Sequence, residues 1–191
     1  MDTFSLSLES PIVVIGDASG SMQVAIRTSS IIAGLLTAIC QAQLVFFNTE
    51  KIVPLYVPKN IEEVLNLAVE MQAEGGTTPA ASLWPFYEKK EVVKTFIIVT
   101  DEEENGQSHG DYFHGLYQKY HNEVYPAKLV FVSFFHNQTS CGDMVPKLEA
   151  NGHKPMRFIF DFAQPDLTKL DKMFGMVASG TTNFDDEIRQ V

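Results

Sequence analysis

Apolar residues in this chain fall into short unbroken runs, separated by stretches in which they recur every three or four positions. The runs at Pro11 to Ile15, Gln43 to Phe47 and Thr95 to Thr100 are too short for helices and rich in β-branched and aromatic residues. They therefore read as strands, Thr95 to Thr100 most clearly as one covered on both faces. Lys128 to Phe135 and Arg157 to Phe162 read the same way, and Ile52 to Val57 is strand-like behind the short NTEK stretch, which suggests a hairpin.

Helical spacing fills the intervals. A helix is expected from about Gln23 to Gln41, with Val24, Ile31, Ile32, Leu35, Leu36 and Ile39 on one broad face. Asn60 with Glu63 three residues later marks a helix start, followed by Ile61, Val64, Leu65, Ala68 and Met71, before Gly75-Gly76 ends the pattern. Pro79 opens another helix, in which Pro85 removes a backbone bond and meets the carbonyl of Ala81, so that helix is expected to be kinked or short. Tyr112 to Tyr120 and Leu167 to Val177 complete the set.

The order β-α-β-β-α-α-β-α-β-β-α predicts an α/β fold: a Rossmann-like, doubly wound, mainly parallel six-stranded sheet with helices on both faces. One domain is expected over 11–180, with 1–10 as an N-terminal segment and 181–191 as a polar C-terminal tail. Phe4, Leu6 and Leu8 alternate with polar residues, as an added strand would.

Charge narrows the partners. Fourteen Lys and Arg against 24 Asp and Glu leave a net charge of -10 over 191 residues, with no basic cluster, which argues against direct nucleic-acid binding. Cys40 and Cys141 form neither a disulfide framework nor a metal-ligand spacing and are expected to be reduced. The N-terminus lacks the pattern of a signal peptide and no apolar run approaches the ~20 residues of a membrane span, so a cytoplasmic chain without membrane association is the expectation.

Ligands of open parallel sheets bind beyond the carboxyl ends of strands. Three loops there carry oxygen side chains: Asp17, Ser19 and Ser21 in GDASGSM, Thr77 after Gly75-Gly76, and Asp101 after the strand ending at Thr100. A hard dication such as Mg2+ takes about six oxygens and needs only one or two carboxylates. If its inner ligands are mostly hydroxyls, it stays electrophilic and attracts an outside carboxylate.

These motifs, D-x-S-x-S after a first strand, a G-G-T loop opening a helix and an Asp after a buried fourth strand, resemble the metal-ion-dependent adhesion site of von Willebrand factor A domains. The resemblance spans roughly Pro11 to Val177. It implies Mg2+ (or Mn2+) held by Asp17, Ser19, Ser21, Thr77 and Asp101, and a protein partner offering Asp or Glu. Thr77 is preferred to Thr78 because a helix starting at Pro79 would use the Thr78 hydroxyl as its cap.

GDASGSM, AEGGTT and FIIVTDEEEN also look like the intracellular branch of that family, which includes the C-terminal domain of Ro (TROVE) proteins; a structural scaffold in such a complex is the alternative function. Where most family members have Gly after the last metal-site Asp, this chain has Glu102, whose charge would complete the shell or repel an acidic ligand. The bland reading makes Glu102 to Glu104 a solvated acidic loop.

Enzyme motifs are missing. The sequence has no G-x-G-x-x-G, no P-loop lysine and no G-x-S-x-G, so no catalytic residue is expected, and metal-assisted hydrolysis is only a third reading. His109, His114 and His121 fit no zinc spacing, and Trp84, Phe86 and Tyr87 are expected in the sheet-helix layer.

Overall fold

The computed structural model describes residues 8–136, 142–162 and 167–179. In chain order the elements are β1 (Ile12–Asp17), α1 (Ile26–Cys40), β2 (Gln43–Phe47), β3 (Lys51–Ile52), α2 (Ile61–Glu70), α3 (Ala80–Glu88), β4 (Thr95–Thr100), α4 (Phe113–Glu123), β5 (Lys128–Phe135), α5 (Met144–Ala150), β6 (Met156–Asp161) and α6 (Leu167–Ser179). The expected α/β architecture is present. Six strands lie in the order β3-β2-β1-β4-β5-β6, all parallel except β3, which runs antiparallel to β2.

Each central strand feeds two cores because successive side chains point to opposite faces. Val14, Leu44, Phe46, Ile97, Val99 and Val132 face one layer together with Ile32, Leu36, Leu67 and Met173 from α1, α2 and α6. Val13, Ile15, Val45, Phe47, Phe96, Ile98 and Phe131 face the other, with Leu83, Phe86, Leu116, Tyr120 and Leu148 from α3, α4 and α5. Double coverage is why these strands are unbroken apolar runs.

The chain builds outward from β1 through β2 to β3, then returns to β4 on the other side of β1 and continues through β5 to β6. The order thus reverses between β1 and β4, which pair in parallel with Gly16 opposite Val99. That reversal opens a crevice at their carboxyl ends, the usual ligand position of such sheets.

Several expectations need correction. The sequence reading joined β5 to β6 directly, yet the two are parallel and need a crossover, which α5 supplies. Val24 is exposed rather than core-facing, because Gly20–Met22 forms a 3-10 turn and α1 begins only at Ile26. The second hairpin strand stops at Ile52, two residues before Pro54. In α2 the buried face is Val64, Leu67 and Ala68, whereas Ile61 and Leu65 face solvent.

Expectations for the start of α2 and for α3 hold. Glu63 N–H donates to Asn60 Oδ1 at 2.9 Å, capping α2. Helix α3 is nine residues long with Pro85 inside it. Phe86 is buried, and Trp84 and Tyr87 pack against the same layer. Cys40 is a free, buried thiol, while Cys141, Phe4, Leu6 and the 181–191 tail lie outside the described residues. Among the described residues, no helix is long and apolar enough to cross a membrane.

Candidate metal centre

Asp17 is the last residue of β1, so its side chain is delivered to the crevice by a fully buried strand. Gly16 before it has no room for a side chain: a Cβ would run into the ring of Phe46. After Asp17 the chain turns back on itself. Ser19 donates twice to Asp17 Oδ1, from its backbone N–H at 2.9 Å and from its hydroxyl at 2.6 Å. Ser19 Oγ lies 3.1 Å from Ser21 Oγ. The other carboxylate oxygen, Oδ2, accepts from the Thr100 hydroxyl at 2.6 Å, which ties the end of β4 to the end of β1.

Backbone bonds lace the remaining loops to this one. Gly20 N–H donates to Gly75 O at 3.1 Å and Glu74 N–H to Ala18 O at 3.0 Å, so the Gly-Gly-Thr loop is fixed against the Asp-Ser-Ser turn. Thr77 is itself clasped: its N–H donates to Asn105 Oδ1, and its carbonyl accepts from the N–H groups of Asn105 and Gly106, all at 3.0 Å. Asp101 follows β4 directly, and its Oδ1 accepts from Glu103 N–H at 3.0 Å.

Burial dominates the electrostatics of Asp17. It raises the carboxyl from its ordinary 3.8 to about 7, with the charge of Asp101 adding to the rise and the Ser19 and Thr100 hydrogen bonds opposing it. A carboxyl whose ionisation is disfavoured by burial and by a neighbouring acid is an arrangement that a cation relieves.

The donor set suits a hard dication. Mg–O distances near 2.1 Å put neighbouring octahedral ligands about 3 Å apart, close to the Ser19 to Ser21 separation of 3.1 Å. Ser19, Ser21, Thr77 and Asp101 are the residues that would hold the ion, with Asp17 acting on it through the Ser19 hydroxyl. Among the described residues there is no cluster of three or more His, Cys, Asp or Glu, so the site is built of hydroxyls with carboxylates rather than of carboxylates alone.

Thr78 does not cap α3, so the reason for preferring Thr77 to Thr78 is removed. Pro79 occupies the cap position of α3, with no side-chain cap bond, and Thr78 Oγ1 instead packs against Gly106, where a Cβ would clash with it. The acidic run is corrected as well. Glu102 is fully buried, and its carboxylate accepts from Ser133 Oγ at 2.6 Å, Val145 N–H at 2.9 Å, and Arg157 Nε and Nη2 at 2.8 and 2.6 Å. Its backbone has φ +59°, the left-handed region that glycine prefers. Glu104 is equally structural, accepting from Phe113 N–H at 2.8 Å at the start of α4; burial raises its carboxyl above the ordinary range. Only Glu103 is exposed.

Sequence reasoning missed Thr100 and Asn105. The signal for Thr100 was a hydroxyl closing an otherwise apolar strand, FIIVT. Asn105 carried none, since it acts across 28 positions of chain.

Neither a protein-family profile nor a curated protein sequence matches the chain. Solved structures do. BatB, a conserved hypothetical protein from Bacteroides thetaiotaomicron, superposes with a TM-score of 0.59 at 10% identity, covering 88% of this chain and 97% of that one. A von Willebrand factor type A structure from Catenulispora acidiphila gives 0.55 at 14% identity over 88% of this chain. The fold is von Willebrand factor A-like. The Deinococcus radiodurans RO (RSR) protein shares this fold, with a TM-score of 0.56 at 16% identity over 89% of this chain. The chain spans 42% of the Catenulispora chain and 34% of the Deinococcus chain.

Proposed function

We propose that this chain is a divalent-cation-dependent protein-interaction module, in which Mg2+ (or Mn2+) held by Ser19, Ser21, Thr77, Asp101 and, through Ser19, Asp17 engages an Asp or Glu of a partner protein. The carrying observation is the buried chain of hydroxyls on Asp17, with Asp101 near enough to disfavour its ionisation. A bound dication supplies an electrophilic position to which a carboxylate oxygen can add.

Charge supports recruitment from outside. Both oxygens of Asp17 are engaged by hydroxyls, and the carboxylate of Glu102 is committed to Arg157, Ser133 and the start of α5. Of Asp17, Asp101 and Glu102, Asp101 is then the one available for direct ligation, less than a dication needs for neutrality. We assign the module to binding rather than catalysis, without direct nucleic-acid contact, and to an intracellular setting in keeping with the free thiol of Cys40.

The second reading is a structural scaffold of a Ro-like ribonucleoprotein or another intracellular complex, favoured by the fold shared with the Deinococcus protein. Peptides that differ only by Glu or Ala at one position separate the two. With Mg2+ or Mn2+ present, the module should retain Glu-bearing members of such a library and release them on chelation. Retention indifferent to both the carboxylate and the chelator would leave the scaffold reading.

A further inference from the structure

Helix α2 is apolar on two faces. Val64, Leu67 and Ala68 pack inward, the methyls of Val64 filling the space above Gly34 of α1. Ile61, Leu65 and Val69, each four residues from the next, form a second row that is 69%, 48% and 68% exposed. A surface helix needs one apolar stripe; a second row costs solubility unless another surface covers it. Tyr56, whose hydroxyl donates to the Glu63 carbonyl, ties the preceding segment to the first turn of α2 and leaves Leu55 95% exposed beside it.

One position along from this row runs a polar ridge, Glu62, Asn66 and Glu70, all exposed, and α2 contains no Lys, Arg or His. We propose that the Ile61-Leu65-Val69 row docks an amphipathic helix of another protein whose apolar stripe is bordered by Lys or Arg. Charge selects this occupant. A second copy related by a two-fold axis would bring the Glu62 and Glu70 ridge against its own equivalent, in a chain that already carries a net charge of -10. The chain's own 181–191 segment, with Asp185, Asp186 and Glu187 against Arg189, has the wrong sign too.

The surface is separate from the metal centre but leads toward it. From the end of α2 the chain runs through Glu74 and Gly75, which bond to Ala18 and Gly20, and on to Thr77. The proposal stands without a bound cation.

Three synthetic helical peptides test it by fluorescence anisotropy with the full chain in chelator: a Leu stripe bordered by Lys, the same stripe bordered by Glu, and the Lys peptide with its Leu residues changed to Ser. The Lys-bordered peptide should bind at least about tenfold more tightly than either control. The Ile61→Ser, Leu65→Ser double variant should lose about tenfold in affinity with unchanged circular dichroism. Glu62→Lys with Glu70→Lys should reverse the preference toward the Glu-bordered peptide. Equal or absent binding of all three peptides, or indifference to the Ser variant, overturns the proposal. So does sedimentation showing a dimer that Leu65→Ser dissolves, since a second copy would then be the occupant.

Discussion

Asp17 shows how a single carboxylate can be placed at a disadvantage by its own fold. Its raised value means that the proton is held more tightly in the folded chain than in the unfolded one. The stability this contributes is fully present below pH 3.8 and is lost as pH rises through about 7. In metal-free buffer, thermal melts should therefore show Asp17→Asn gaining on the native chain between pH 5 and pH 8. Added Mg2+ should raise the native melting temperature more at pH 8 than at pH 5, because the ion prefers the ionised site. An equal increment at both values would count against the arrangement.

Glu102 is the opposite case, a buried carboxylate with its partners built in. Removing only the cation leaves the charge stranded, so Arg157→Met should cost about 3 kcal/mol in denaturant unfolding. Glu102→Gln combined with Arg157→Met should recover most of that loss. The proposed site residues Asp17, Ser19, Ser21, Thr77 and Asp101 were picked out in the sequence by local signals, two strand ends and one glycine turn. The role of Glu102 was not, since Ser133 and Arg157 reach it from 31 and 55 positions away.

At the scale of elements, the central strands were legible because a sheet covered on both faces leaves polar residues only at their ends. Helix α5 was not. It is seven residues long and has Pro146 inside it, so it offers too few turns for a periodic signal. The face of α2 was misjudged for a different reason: with apolar residues on two sides, spacing cannot say which side is covered. Its start was clear, because a cap is written in two residues. Asn60→Ala should lower stability by about 1 kcal/mol by leaving Glu63 N–H unpartnered, with denaturant midpoints as the readout. No change in midpoint would mean that water replaces the cap without cost.

At the scale of the molecule, topology makes the site. Reversal of strand order between β1 and β4 brings Asp17 and Asp101 to one crevice, and the Gly75 to Thr77 loop is bonded down beside them. Sheet order follows from sequence only once the parallel pairing of β1 with β4 is assumed, which the alternation of strands and helices favours. The strongly acidic surface makes a cation at this crevice the natural complement to both carboxylates. Calorimetric titration of Mg2+ into the native chain and into Asp17→Ala and Glu103→Ala at pH 8 tests the central claim most directly. Saturable one-site heats in the native chain and in Glu103→Ala, absent in a folded Asp17→Ala, are the expected result; indistinguishable heats in all three would contradict it.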